Sequence, residues 1–362
     1  MSTTEELLEE YSFRRVTAEE ALILLRNGDL QGMGRMANRV RWKIHPDPIV
    51  TYLIDRNINY TNVCVARCSF CNFYRRPGNE EGYTLSKPEI FRKVEETIQL
   101  GGTGILMQGG MNPYLAIDYY EDLLSSLKSR FPIHLHCFSP PEIVVLAKLS
   151  KISIRETVQR LKKAGLDSIP GGGAEILSNR MRKKISPGKC SSEEWLEVME
   201  TAHGEGLKTS ATMMFGAGET DEEIVEHLNQ IRSLQDRTGG FVAFIPWNVQ
   251  VKGTEMESTV THTVSPVEYL RVLSLSRIFL DNIQNIQVSW LTQGLTVGQI
   301  ALFFGANDVG SIMIEENVVS SAGAQHRATQ TDLVELIEQA GFLPVQRDSI
   351  FRRLDSKGVS KI

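Results

Sequence analysis

The sequence predicts an α/β protein built from repeated strand–helix units around a mainly parallel sheet. Two observations carry this. From residue 49 onward, short apolar runs alternate with longer amphipathic stretches, and Gly or Pro usually marks the junctions. The run of such units is long, six or seven in succession, and each crossover helix returns the chain to the same side, so the strands must lie parallel. An open doubly wound sheet and a barrel both satisfy this alternation; the number of units favours a (βα) barrel, complete or partial.

Strands are expected at 52–58, 104–108, 133–138, 167–170, 209–215, 242–247 and 286–291. Helices are expected at 87–100, 116–129, 154–164, 192–205, 221–235 and 266–281. Two helix starts carry a capping box, Thr17 with Glu20 and Ser191 with Glu194. Three parts follow: an N-terminal helical segment over 1–48, a barrel over 49–316, and an appended cap over 317–362 containing a helix at 332–340.

Length and composition bound the function. The chain has 362 residues, 23% charged and 41% hydrophobic, with a formal net charge of −5, as expected of a globular protein with a large core. No Lys/Arg-rich run advertises a nucleic-acid or anionic-membrane surface, although one or two local cations would suffice for a small anion. No apolar run is long enough to span a bilayer. The opening Met1-Ser-Thr-Thr-Glu-Glu is too acidic for a signal peptide, so the cytoplasm is the expected compartment. Five cysteines do not read as a disulfide framework.

Three of those cysteines fall within eight residues: Cys64-Val-Ala-Arg-Cys68-Ser-Phe-Cys71, directly after the first predicted strand. Thiolates this close on a loop can converge on one soft metal centre. A structural zinc or an electron-transfer cluster normally takes four protein ligands, and Cys137 and Cys190 lie in distant segments. Three ligands leave one metal position open for chemistry on a bound molecule. Inert packing, or zinc completed by a distant histidine, are the competing readings.

This C-x3-C-x2-C spacing, with Phe70 before the last cysteine, resembles the signature of the radical S-adenosylmethionine (SAM) superfamily. The resemblance implies a [4Fe–4S] cluster on Cys64, Cys68 and Cys71, with S-adenosylmethionine on the open iron and a 5′-deoxyadenosyl radical as oxidant. Further motifs extend it: Asn62 with 64–75, Met107-Gln-Gly-Gly-Met-Asn-Pro, Pro170-Gly-Gly-Gly-Ala-Glu-Ile-Leu, Gly305-Ala-Asn-Asp-Val-Gly and Gly341-Phe-Leu-Pro-Val-Gln-Arg-Asp. Together they are similar to the group containing cyclic dehypoxanthinyl futalosine synthases, aminofutalosine synthases and deazaflavin-forming synthases. The match to the first of these, a menaquinone-biosynthesis family, covers nearly the whole chain. That resemblance implies cyclisation of dehypoxanthine futalosine, with hydrogen abstraction at ribose C4′ and electrons from a reduced ferredoxin or flavodoxin. Radical addition of the aminofutalosine type and a non-catalytic iron–sulfur or zinc protein are the alternatives.

The resemblance also implies site residues. Phe70 would pack beside the adenine, and Gly109 and Gly110 would face the methionine moiety. A Gly pair after a parallel strand also permits close backbone approach to a ligand, whereas Gly101-Gly102 reads as a plain turn. Glu175 and Arg182 resemble a pair contacting the ribose and carboxylate of S-adenosylmethionine, and would share a face if their segment is helical. Gly171-Gly-Gly would cradle an anion or simply turn. Gln108 ends a strand within reach of either ligand.

Two strands carry candidates by alternation. Ile133, Leu135 and Cys137 point one way, which leaves His134 and His136 on the lumen face as substrate contacts or acid–base groups. Ser210 and Thr212 share a face with Met214, where their hydroxyls would bind a ribose or satisfy buried backbone.

Overall fold

A computed structural model describes residues 14–354. The opening Met1-Ser-Thr-Thr-Glu-Glu lies outside the described residues, as does the end of the cap after 354. The first helix, Ala18–Asn27, starts at the expected box: Glu20 N donates to Thr17 Oγ1 (3.3 Å) and Thr17 N to the Glu20 carboxylate (2.8 Å). A second helix, Leu30–Ile44, follows at once, and the two pack on the outer helices Asp221–Thr238 and Pro266–Phe279.

Among the described residues ten strands follow: β1 (Ile49–Leu53), β2 (Asp55–Ile58), β3 (Gly104–Met107), β4 (His134–Cys137), β5 (Ser168–Ile169), β6 (Lys208–Phe215), β7 (Phe241–Asn248), β8 (Asn285–Ile286), β9 (Asp308–Ser311) and β10 (Leu343–Gln346). Strands β2 to β8 form a seven-stranded parallel sheet in chain order; β10, β1 and β9 form a second parallel sheet with β1 in the middle. Helices between the strands cover the outside, as a right-handed crossover requires.

Backbone hydrogen bonds join the two sheets at both edges. Asn307 N donates to Ile286 O (3.1 Å) and Val288 N to Asp308 O (3.0 Å), so β9 continues the ladder beyond β8. On its other side Ile312 N donates to Leu53 O (3.1 Å) and Ile314 N to Asp55 O (3.2 Å). Because β1 runs into β2 through Ile54 alone, the ladder returns to its starting strand. The circuit is complete.

Among the elements that differ from the sequence expectation, three show the physical reason plainly. The run 52–58 is two strands because its halves pair with different partners, which no local pattern reveals. The predicted strand 286–291 stops at Ile286 and turns into a short helix, Trp290–Gln293. An unexpected helix, Pro140–Ser150, has seven buried residues and thus no polar face to give it period. Its Pro140-Pro141 looks like a breaker but occupies the first turn, where proline lacks no needed N–H.

The cap region enters the architecture directly. Strand β10 pairs with β1, and the following residues lay Arg347, Ser349 and Phe351 into the barrel interior. Arg347 and Asp308 form a buried pair, Nε to Oδ2 at 2.5 Å and Nη2 to Oδ1 at 2.8 Å, with Thr51 Oγ1 also donating to Asp308 (2.5 Å). The guanidinium stacks on the Phe351 ring at 3.6 Å. Removing one member leaves the other buried and uncompensated. Asp308→Ala should therefore destabilise the fold by about 3–5 kcal/mol, read as a lower urea midpoint. Adding Arg347→Met should recover part of the loss; no recovery would show that the pair is not what holds this end.

Candidate active site

One cavity of about 390 Å³ runs along the barrel interior, with the cysteine loop at one end and Asp55, Ser311, Arg347 and Ser349 at the other. Parallel strands deliver their C-terminal ends and following loops to the same side, where ligands bind in such folds.

The cysteine loop leaves β2 and is held by its own backbone: Cys64 N donates to Arg75 O (2.9 Å) and Arg75 N to Asn62 O (2.8 Å). Cys64 and Cys68 are buried, Cys71 is half-buried, and all three line the cavity as free thiols. Amides already point at the sulfur of Cys64, from Met111 (3.3 Å) and Ala66 (3.4 Å). Burial pushes the Cys68 thiol up to about 12 and raises Cys71 as well. Metal binding must therefore displace these protons. Among the described residues no three or more His, Cys, Asp or Glu gather closely enough to hold a lone metal ion. A cluster larger than one ion, on three thiols beside an open chamber, fits this donor set. Gly110 keeps the cradle clear, since a Cβ there would lie 2.2 Å from Val63 O and 2.9 Å from the Cys64 Cβ.

Glu175 lines the same end, held at φ 48 ahead of the helix Asn179–Ile185. The expected shared helical face with Arg182 is thus absent. Glu175 instead pairs with Lys189, whose ammonium lies 5.3 Å from the Phe70 ring centre. Burial lowers Lys189, but Cys68 and Glu175 hold it above the ordinary lysine value. Sequence reasoning missed Lys189, and nothing local singles it out.

Arg182 does not line the cavity. Its guanidinium donates to carbonyls: Nε and Nη2 to Cys190 O (2.8 and 2.6 Å), Nη1 to Ala174 O (2.5 Å) and Gly173 O (3.1 Å). It positions the loop that presents Glu175. Glu142, another missed residue, lines the cavity and receives Gly109 N (3.0 Å), the Tyr60 hydroxyl (2.8 Å) and Ser139 N (2.7 Å). Burial raises its pKa despite these donors. Its sequence signal was the capping box Ser139-x-x-Glu142.

Ile133, Leu135 and Cys137 are buried in the core, on the face opposite His134 and His136. His136 lines the cavity, whereas His134 is not among the lining residues. Both rings meet the Ser168 hydroxyl at 2.6 Å, His134 through Nε2 and His136 through Nδ1. Burial, then the neighbouring His134 and Arg347, lowers His136 to about 3; burial also lowers His134. Gln108 lines the cavity beside Gly172. Ser210 Oγ accepts from Gly171 N (3.0 Å), which leaves its own proton free. Thr212 donates to Gly171 O (2.7 Å) and can only accept from a ligand.

The histidine shift has a thermodynamic consequence. With a folded value of about 3 against 6.5, the unfolded chain binds the proton first, so the contribution is full above about pH 6.5 and is lost as pH falls towards 3. By pH 5 this amounts to roughly 2 kcal/mol. Denaturant titrations of His136→Gln should show a correspondingly shallower acid dependence; an unchanged slope would mean that His136 protonates freely in the folded chain. At the cysteine end, Gly110→Ala should abolish iron incorporation on anaerobic reconstitution.

Comparison with known proteins agrees with this arrangement. The radical SAM superfamily profile matches residues 58–231, and the CofH/MqnC C-terminal region matches 238–357. The chain is 46% identical over 344 residues, 94% of its length and 86% of the relative's, to the cyclic dehypoxanthine futalosine synthase of Streptomyces coelicolor. It is 37% identical to the aminodeoxyfutalosine synthase of Thermus thermophilus, covering 94% and 93% of the two chains. Methylornithine synthase shares the fold, with a TM-score of 0.72 at 18% identity over 93% of this chain and 97% of that one. The chain belongs to the radical SAM superfamily, in the family of the cyclic dehypoxanthine futalosine synthases.

Proposed function

We propose that the chain is a radical SAM cyclase that converts dehypoxanthine futalosine into cyclic dehypoxanthine futalosine, a step of menaquinone synthesis by the futalosine route. The supporting observation is the continuity of the cavity: one chamber reaches from the three thiols to the far end of the barrel. Cofactor and a second small molecule can therefore meet without crossing solvent. The 46% identity to a synthase of that name supports this substrate over that of the 37% relative.

Cys64, Cys68 and Cys71 would hold a [4Fe–4S] cluster, and Phe70, Gln108, Gly109, Gly110 and Glu175 would surround the bound S-adenosylmethionine. When bound, this pair supplies a 5′-deoxyadenosyl radical that takes hydrogen from ribose C4′. The substrate carbon radical would then add to the benzoate ring, and return of one electron to the oxidised cluster with transfer of one proton to a base would restore aromaticity. The chain's residues orient and isolate these events. Ser210 donates to, and Thr212 accepts from, the ribose hydroxyls. Apolar Ile245, Trp247, Trp290 and Leu291 on the cavity wall exclude water from a radical that would react with it.

His136 takes the final proton. Its Nδ1 is engaged by Ser168, so Nε2 is the nitrogen left for substrate and accepts in the tautomer whose Nδ1–H donates to Ser168, while burial keeps the ring neutral. His134 reaches that site only through Ser168. A reduced ferredoxin or flavodoxin supplies the electron, in the reducing cytoplasm that keeps the thiols free for iron. Among the described residues no helix is long and apolar enough to cross a membrane.

Anaerobic turnover with substrate deuterated at C4′ tests the reading. The label should appear in 5′-deoxyadenosine and the product should be the cyclised nucleoside; unlabelled 5′-deoxyadenosine would sink it. In His136→Gln, label transfer should persist while cyclised product forms about a hundredfold more slowly.

A further inference from the structure

The segment that begins at Arg347-Asp348 has no part in the chemistry at the cysteine end, yet it builds the closed end of the chamber. After β10 the chain turns back around Asp348. The Asp348 amide donates to Arg352 O (3.0 Å), and its Oδ1 receives Ile350 N (3.0 Å) and Arg352 N (2.9 Å). This turn holds Phe351 at φ 66, a left-handed conformation rare for a residue with a Cβ. Phe351 lines the reaction chamber and also a separate pocket among the starts of β6, β7 and β8. It is therefore part of the wall between the two.

At this end three polar side chains lack part of their hydrogen bonding. Asp55 is 8% exposed; its Oδ1 accepts from the Ser311 hydroxyl, and its Oδ2 receives no donor among the described residues. Gln287 Oε1 accepts from Arg347 Nη2 (3.1 Å), which leaves the amide nitrogen without an acceptor among the described residues. Ser349 is 7% exposed, and its hydroxyl has no partner. The three are neighbours. A Cβ on Gly104 would lie 2.1 Å from Ser349 Oγ, and Asp55 is the register partner of Gly104 across β2 and β3. Gln287 joins them through Arg347, whose charge also acts on Asp55. All three line the chamber.

Charge decides what kind of group such a corner can take. Among the described residues two Lys or Arg side chains line the chamber: Lys189 pairs with Glu175 at the cysteine end, and Arg347 is bound to Asp308. The closed end thus offers a ligand no free cation. A carboxylate placed there would stand beside Asp55 with no counter-charge, at a high desolvation cost. A hydroxyl both donates and accepts, and suits all three groups. Gln287 can only donate, ionised Asp55 can only accept, and Ser349 does either. We propose that Asp55, Gln287 and Ser349 form the subsite for the ribose hydroxyls on C1 and C2, with the benzoate carboxylate held elsewhere. The inference rests on the cyclase reading. With C4′ turned to the cysteine end, the C1–C2 edge lies across the furanose ring and faces the closed end. In a substrate that has lost its purine, C1 carries only a hydroxyl, a group small enough for a sealed corner. Polar groups arranged in this way reject an analogue without hydroxyls, because they would stay buried and unpaired.

The test uses reconstituted holoenzyme with S-adenosylmethionine and no reductant, so that binding is read without turnover. Calorimetry gives Kd for dehypoxanthine futalosine, for its 1,2-dideoxy analogue and for an analogue lacking the benzoate carboxylate. The parent should bind the dideoxy analogue about a hundredfold more weakly than the substrate. Asp55→Ala and Ser349→Ala should each shrink that ratio by about fivefold or more. Each ratio compares two ligands on one protein, so a general loosening of the barrel cancels. If Asp55→Ala does not fold, Asp55→Asn and Ser349→Ala decide by the same ratio. A ratio unchanged in the variants would overturn the subsite while leaving the cyclase reading intact. So would variants that shrink instead the penalty for losing the carboxylate, since the closed end would then hold that group. A parent that binds no dehypoxanthine futalosine at all would refute the cyclase reading, and the subsite with it.

Discussion

The structure depends on the burial of one carboxylate. Asp308 receives Thr51 from β1, two nitrogens of Arg347 from the cap region and the amide of Gly310 (2.8 Å), and is fully shielded from water. Those donors belong to three separated parts of the chain, and their convergence lets β9 complete the ladder between β8 and β1. Without β9 the seven-stranded sheet would be a trough open along one side. A carboxylate with this many donors tolerates burial, whereas the same group unpaired would not. The ring therefore closes through a polar device, and the apolar interior follows from it.

Closure gives the cavity two ends of different chemistry. At the cysteine end, Lys189 and Glu175 pair beside the thiols, and Arg182 fixes their loop through carbonyls instead of touching a ligand. At the other end the pair Arg347–Asp308 is internally neutral, and burial raises Asp55, which favours its protonated form. Between them lie half-buried aromatic and aliphatic side chains. Charge is placed where S-adenosylmethionine, itself charged, would bind, and is withheld from the rest of the chamber.

How much of this was legible depended on whether the signal was local. The strand–helix alternation from 104 to 247 was readable because each apolar run and each amphipathic helix carries its own period. So were the cysteines, whose function is written in spacing, and the opposed faces of β4, where Ile133, Leu135 and Cys137 alternate with His134 and His136. The closing strand β9 was not readable as a strand. Asp-Val-Gly-Ser has little apolar character, and its pairing is fixed by residues hundreds of positions away. Helix Pro140–Ser150 was hidden because seven of its eleven residues are buried. Arg182 was assigned a ligand because, with Glu175, it resembles a family pair that contacts S-adenosylmethionine. Its partners are carbonyls that only the folded loop brings together. Lys189 lay between a glycine and a cysteine with no periodicity to mark it, and its importance comes wholly from what it meets in space.

On the proposed function, the two histidines of β4 would let such a fold serve both halves of a radical reaction. A carbon radical needs an environment with little to react with, which argues against exposed charge or loose water near the substrate. Rearomatisation then releases a proton into that same environment, which argues for a base. A neutral imidazole meets both demands where a carboxylate or a charged histidine would meet only one. Burial lowers His136 to about 3, so at neutral pH it would carry no charge beside a substrate radical. It still has a ring nitrogen available when the proton is released. Ser168, shared with His134, fixes the ring orientation and on the proposed function would give the proton a short path away from the product. A pKa that would make a poor base in water thus suits a cavity whose proton donor is far more acidic than water.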